Sequence, residues 1–186
     1  MIEMLREAPI IAAVRGREHL SRALASKARV VFLLGADLFT LPEMVREALY
    51  ADKRVFVHLD LVEGISRDAA GVRLLKAMAR PTGVLSTRAP LLRAAAQEGL
   101  QTVLRVFLVD SSSLESGVRM VKTCAPDWVE AMPGMVTRAI GQLKSRAALP
   151  IIAGGMLEKP EDVEAVLRAG ARAASTSHEA LWNWQG

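Results

Sequence analysis

Several residues in this 186-residue sequence have the type and spacing to hold or transform a polar ligand. The apolar run Val55-Phe56-Val57-His58-Leu59-Asp60-Leu61 carries a histidine and an aspartate two apart. A strand period of two puts His58 and Asp60 on one face, with Val57 and Leu59 on the other. Arg15 closes the first apolar run, Arg105 interrupts the fifth and Glu130 sits in the sixth. Two cations and two carboxylates are therefore expected to meet in one apolar-walled opening, where burial demands mutual pairing or a polar ligand. The structural alternative is a layer of salt bridges made by Arg15, Asp60, Arg105 and Glu130. Asp60 with Glu130 is also conceivable as an acid–base pair. His58 and Asp60 lack a clear third and fourth ligand, so no metal site is expected.

The C-terminal quarter points to an anion. Ile151-Ile152-Ala153-Gly154-Gly155 ends an apolar run on two glycines, and Ser175-Thr176-Ser177 follows one unit later, ahead of a last short helix. Glycines let a phosphate approach backbone N–H groups, and hydroxyls at a helix start add donors where the helix dipole favours negative charge. Gly154, Gly155, Thr176 and Ser177 are thus the predicted phosphate cradle. Elsewhere, Ser111, Ser112 and Ser113 after Asp110 read as a helix cap, Cys124 as core and His19 as a surface helix residue. His178, Trp182 and Trp184 read as cover for the domain's flank.

These residues need a frame. Apolar runs at Ile10 to Arg15, Val30 to Leu34, Val55 to Leu61, Gly83 to Ser86, Thr102 to Leu108, Trp128 to Met132, Ile151 to Gly154 and Ala173 to Thr176 read as strands. Stretches of helical period alternate with them. Thr40 with Glu43 is a candidate capping box, Ser66 precedes Asp68, and Pro160 opens a helix that Gly170 stops. Eight minimal strand–helix units predict a small (β/α)8 TIM-type barrel, one domain over residues 1–186, with ligands at the carboxyl ends of the strands. An open doubly wound sheet is the alternative.

Composition sets the bounds: 51% hydrophobic with 24% charged residues is globular, and a single cysteine excludes a disulfide framework and a four-cysteine zinc site. No apolar run approaches eighteen residues and no signal-peptide pattern opens the chain, which predicts a cytoplasmic protein without a membrane partner. The net charge of +4 permits an anionic partner, a phosphorylated metabolite or nucleic acid. Self-association into a homo-oligomer stays open.

The segments Phe56-Val57-His58-Leu59-Asp60-Leu61-Val62-Glu63-Gly64, Gly83-Val84-Leu85-Ser86-Thr87-Arg88, Leu104-Arg105-Val106-Phe107-Leu108-Val109-Asp110-Ser111, Val129-Glu130-Ala131-Met132-Pro133-Gly134 and Pro150-Ile151-Ile152-Ala153-Gly154-Gly155 together resemble the glycerol uptake operon antiterminator family. The resemblance covers nearly the whole chain in the expected order. It implies a non-catalytic barrel, without cofactor, whose effector is glycerol 3-phosphate and whose partner is the mRNA leader of glycerol-utilisation genes, where it prevents transcription termination. On that reading Gly154, Gly155, Thr176 and Ser177 take the phosphate. Arg15, His58, Asp60, Arg105 and Glu130 hold the glycerol hydroxyls or shape the pocket, and Arg88 and Arg93 couple ligand to RNA. The competing class is a barrel enzyme acting on a small phosphorylated polyol or triose: a lyase, isomerase or prenyltransferase. A Schiff-base aldolase needs a lysine at the end of an inner strand, and all six lysines are predicted in helices or loops.

Overall fold

The computed structural model describes residues 2–186. In chain order the elements are α1 (Ile2–Glu7), β1 (Ile10–Val14), α2 (Gly16–Ala25), β2 (Val30–Leu33), β3 (Ala36–Asp37), α3 (Leu41–Tyr50), β4 (Arg54–His58), a 3-10 turn (Leu59–Leu61), β5 (Val62–Glu63), α4 (Ala69–Ala79), β6 (Gly83–Ser86), α5 (Ala89–Gln97), β7 (Gln101–Phe107), α6 (Ser111–Cys124), β8 (Trp128–Met132), α7 (Thr137–Ala147), β9 (Ile151–Gly154), α8 (Pro160–Arg168), β10 (Ala173–Thr176) and a closing 3-10 turn (Glu179–Asn183). Eight parallel strands close in the order β1-β10-β9-β8-β7-β6-β4-β2, giving the (β/α)8 barrel that the alternation predicts. β3 and β5 form a separate two-stranded sheet above the barrel wall.

Strand parity separates two cores. Ile11, Val30, Phe32, Phe56, Leu85, Val103, Trp128, Ile152 and Ala173 point inward and fill the barrel, with Leu5 of α1 packed into the same cluster. Phe32 and Phe56 meet edge to face, their ring centroids 5.7 Å apart. The alternate residues, such as Val55, Val57, Leu104 and Val129, pack outward against the helices. Each large buried side chain contributes roughly 1.5–3 kcal/mol of hydrophobic stabilisation. The interior below the site is therefore packed with apolar side chains, and the buried charged pair Arg105 and Glu130 lies toward the carboxyl ends of the strands, while Lys53 and Thr102 are buried polar residues at the amino ends.

Local signals hold the helices in register with the strands. Asp68 caps α4 by accepting from the Gly71 N–H at 2.9 Å. Asp110 accepts from Ser113 N–H at 2.7 Å while the Ser113 hydroxyl accepts from the Asp110 N–H, a reciprocal box at the start of α6. Cys124 is buried in the core, and Trp182 is buried with its ring N–H donating to Thr176 O.

Three expectations change. The strand predicted to reach Leu61 ends at His58, because the chain turns through Leu59–Leu61 and carries Asp60 to the end of β6. Thr40 makes no capping bond to α3; the Asp37 carboxylate instead accepts from the Phe39 and Thr40 N–H groups and the Thr40 hydroxyl. The last short helix is a five-residue 3-10 turn that starts at Glu179, two residues beyond Ser177. Among the described residues, no helix is long and apolar enough to cross a membrane.

Candidate ligand site at the strand carboxyl ends

Arg105 and Glu130 are register partners on β7 and β8, two residues beyond the inward-facing Val103 and Trp128. Parity therefore sends both side chains into the barrel, above its apolar filling. Arg105 Nε donates to Glu130 Oε2 at 2.5 Å, and Ser175 Oγ donates to Glu130 Oε1 at 2.5 Å. Glu130 is 1% exposed and Arg105 7% exposed. Removing one partner of such a buried pair costs about 3–5 kcal/mol, because the other charge stays desolvated. The terminal nitrogens of Arg105 make no hydrogen bond to protein, so the guanidinium has donors left for a ligand.

Gly154 makes this arrangement sterically feasible. A Cβ built on it would lie 2.4 Å from Ser175 Oγ and 2.6 Å from Glu130 Oε1. The glycine thus clears space for the Glu130 carboxylate, a role different from the phosphate contact expected of it.

Asp60 organises the opposite wall. Its Oδ2 accepts from Ser86 Oγ at 2.8 Å and from the Thr87 N–H at 2.9 Å, and Arg88 Nε lies 3.2 Å from Oδ1. The arginine is close enough for an ion pair but not aligned for a hydrogen bond, so Asp60 Oδ1 is a buried acceptor without a hydrogen-bond partner. His58 Nδ1 is a second such atom, 3.6 Å from Asp60 Oδ2, on a side chain 4% exposed. Burial, reinforced by the Arg105 guanidinium, pushes the His58 pKa down to about 4 against the opposing pull of Asp60 and Glu130. At neutral pH the imidazole is uncharged, one ring nitrogen donating and the other accepting. Each unsatisfied buried polar atom costs about 1–3 kcal/mol, which a hydroxyl-bearing ligand would recover.

The predicted phosphate cradle divides. Ser175 pairs with Gly154 in the β9–β10 register, so Gly155 and Ser177 lie on neighbouring strand ends. Gly155 has φ +78° and Ser177 is exposed, and neither backbone N–H donates to a protein acceptor. Thr176 is buried and its hydroxyl is already used, donating to Leu157 O at 2.7 Å and accepting from the His178 N–H at 3.0 Å. Gly154 and Thr176 therefore shape the rim from within, and the free donors sit at Gly155 and Ser177. The helix start invoked for Ser177 is displaced to Glu179.

Arg15 departs from the expected convergence. It is exposed at the N-terminal end of α2, where its carbonyl accepts from the His19 ring, and it forms no ion pair with Asp60 or Glu130. Arg88 belongs to the mouth through Asp60, whereas Arg93 is an exposed residue of α5. Ser175, Ser86 and Thr87 were not singled out as site residues from the sequence. Parity from Ala173 gives the signal for Ser175; nothing local marks Ser86 and Thr87, whose partner Asp60 arrives from the turn after β4.

The class is thus a (β/α)8 barrel with a buried ionic floor and free backbone donors at the carboxyl ends of its strands. Residues 10–182 match the family described as glycerol-3-phosphate responsive antiterminator, and the chain belongs to that family. The glycerol uptake operon antiterminator regulatory protein of Listeria monocytogenes aligns with a TM-score of 0.89 at 30% identity, over 93% of this chain and 94% of that one. A glycerol uptake operon antiterminator-related protein of Thermotoga maritima gives 0.83 at 29% identity, over 95% and 98%. The uncharacterized protein YgcP of Escherichia coli (strain K12) is 32% identical over 182 residues, covering 98% of this chain and 95% of its own length. Barrel enzymes at 13% to 16% identity share the fold alone.

Proposed function

We propose that this protein senses glycerol 3-phosphate at the mouth of its barrel and acts in the cytoplasm on the mRNA leader of glycerol-utilisation genes, preventing transcription termination. The observation that carries the ligand assignment is the pair of buried atoms without hydrogen bonds, His58 Nδ1 and Asp60 Oδ1, beside a guanidinium with unused donors. Membership of a family described as glycerol-3-phosphate responsive supports glycerol 3-phosphate as the effector. The free N–H groups at Gly155 and Ser177 would receive the phosphate, with Arg105 facing it, while His58 and Asp60 exchange hydrogen bonds with the glycerol hydroxyls. Glycerol 3-phosphate is then an effector, bound and released unchanged.

A switch follows from the shared carboxylate. A ligand hydroxyl donating to Asp60 Oδ1 competes with Arg88 Nε for the same oxygen and loosens Arg88, whose backbone leads directly into α5. The positions of the lysines weigh against the enzyme reading: all six lie in helices or loops. Lys53, the buried one, donates to Ser26 O and Ala28 O at the amino end of the barrel, far from the mouth.

The test is a filter-binding titration of the leader transcript with and without glycerol 3-phosphate, on wild type and Arg88→Ala. Wild type is expected to bind RNA more tightly with ligand, and Arg88→Ala to lose that dependence. Equal RNA affinity in both conditions for wild type contradicts a ligand-gated switch. Linkage requires the same factor when ligand is titrated with RNA bound.

A further inference from the structure

The end of the barrel opposite the ligand mouth carries cations that form no ion pair among the described residues. Two adjoining clefts open there beneath α7, α8 and the amino ends of β8, β9 and β10. One, about 330 Å³, is lined by Leu5, Arg6, Pro9, Trp128, Leu167 and Arg172 among others; its neighbour, about 350 Å³, runs from Arg172 to Lys144 past Pro150 and Gly170. Arg172 borders both, so the cations stand in the order Arg6, Arg172, Lys144 along the groove that the two clefts make where they meet. No carboxylate lines either cleft.

Among the described residues none of the three cations has a carboxylate within ion-pair distance; other surface cations such as Arg54 and Arg119 share that condition, and these three are set apart by lining adjoining clefts. Several acids near this face are engaged elsewhere, while Glu3 of α1 is exposed and makes no ion pair among the described residues. Glu7 and Asp52 flank Arg29, Glu98 meets Lys76, and Asp127 is held by the Thr102 N–H and hydroxyl. The carboxyl end of α7 attracts Lys144 on its own account. Arg172 lies on the loop before β10 and has no such partner. The end of the Lys144 side chain packs over Gly170, where a Cβ would sit 2.7 Å from its Cδ and Nζ.

We infer that this groove binds the phosphodiester backbone of RNA, with Arg6, Arg172 and Lys144 each meeting a phosphate. A single phosphorylated metabolite is held by groups that converge on one point, as they do at the mouth. Cations spaced along a groove suit a chain of phosphates, and an unneutralised positive surface draws such a polymer before any specific contact forms. The placement leaves the mouth free, so RNA and glycerol 3-phosphate can be bound together. It rests on the proposal that the protein binds RNA and adds where the backbone lies.

The test uses a fluorescein-labelled leader transcript and the full-length protein, with anisotropy titrations over a series of salt concentrations. Arg6→Ala/Lys144→Ala/Arg172→Ala is compared with Arg88→Ala/Arg93→Ala. The groove variant is expected to weaken RNA binding by at least ~10-fold at low salt. It should also flatten the dependence of log affinity on log salt by ~2 to 3, since each phosphate contact contributes ~0.7 to 0.9 to that slope. Calorimetric affinity for glycerol 3-phosphate should stay at the wild-type value, which shows the fold intact, and Arg172→Lys should bind RNA nearly as wild type because charge suffices. Wild-type affinity and slope in the groove variant, or a loss confined to Arg88→Ala/Arg93→Ala, overturns the placement and leaves RNA binding standing. Absence of RNA binding by the wild-type protein, with and without effector at low salt, overturns both.

Discussion

His58 is held as a neutral imidazole between a buried ion pair and an aspartate, and that makes stability depend on acid. Its pKa lies near 4 in the fold against 6.5 as the ordinary value, with Asp60, Arg105 and Glu130 the charged groups facing it. Between those limits the unfolded chain binds a proton that the native protein does not, so stability falls as pH drops from about 6.5 toward 4. The shift corresponds to roughly 3 kcal/mol across the window. Urea denaturation measured through that range should show the loss for wild type and a flatter profile for His58→Gln; identical profiles would mean that His58 is solvated. Gly154→Ala tests the neighbouring contact. Its methyl group must displace Glu130 or Ser175, and a loss of about 1–3 kcal/mol of stability is expected from overpacking. Glycerol 3-phosphate affinity should fall with it, because the displaced carboxylate no longer orients Arg105. A thermal melt and a ligand titration on the same sample check both effects.

At the scale of elements, the caps decide which helix starts resist change. Asp110→Ala removes the reciprocal box with Ser113 and should lower the melting temperature by a few degrees without altering effector affinity, since α6 begins beyond the site. Asp37→Ala should be more harmful than Thr40→Ala, because Asp37 gathers three donors while Thr40 caps nothing. A larger melting shift for Thr40→Ala would restore the capping box suggested by Thr40 and Glu43. Most barrel strands could be read to within a residue or two, because short β-branched runs bounded by turn residues leave few alternatives. The run from Val55 to Leu61 predicts a strand three residues longer than β4, which ends at His58. Leu59-Asp60-Leu61 keeps the alternation of a strand, and only the long-range bonds from Ser86 and Thr87 to Asp60 turn it away. The helix α1 gave no signal beyond its lack of a signal-peptide pattern, since six residues show too little period, yet its Leu5 belongs to the barrel's interior cluster. The site was legible where parity governs, at His58, Arg105 and Glu130. It was illegible where a backbone carbonyl takes up a hydroxyl, as Leu157 does with Thr176, and where a glycine serves as space for a distant side chain, as Gly154 does.

For the whole molecule, the apolar filling of the barrel separates the candidate ligand site at the mouth from an opposite end where Arg6, Arg172 and Lys144 form no ion pair among the described residues. A ligand confined to the native mouth stabilises the fold by mass action, about 2.7 kcal/mol when present at a hundred times its Kd. Glycerol 3-phosphate should accordingly raise the melting temperature in a dose-dependent way, and glycerol much less, having no charge for Arg105 and the free N–H groups. The central claim, that the buried atoms of His58 and Asp60 lacking hydrogen bonds form an effector site together with Arg105, is tested most directly by isothermal titration calorimetry of glycerol 3-phosphate on wild type and Asp60→Asn. Saturable one-site binding by wild type is predicted, with affinity reduced roughly 10- to 100-fold in the variant, the worth of about 1.5–3 kcal/mol for a hydrogen bond to a charged group. No saturable heat at millimolar ligand, or equal affinity in the two proteins, would contradict it.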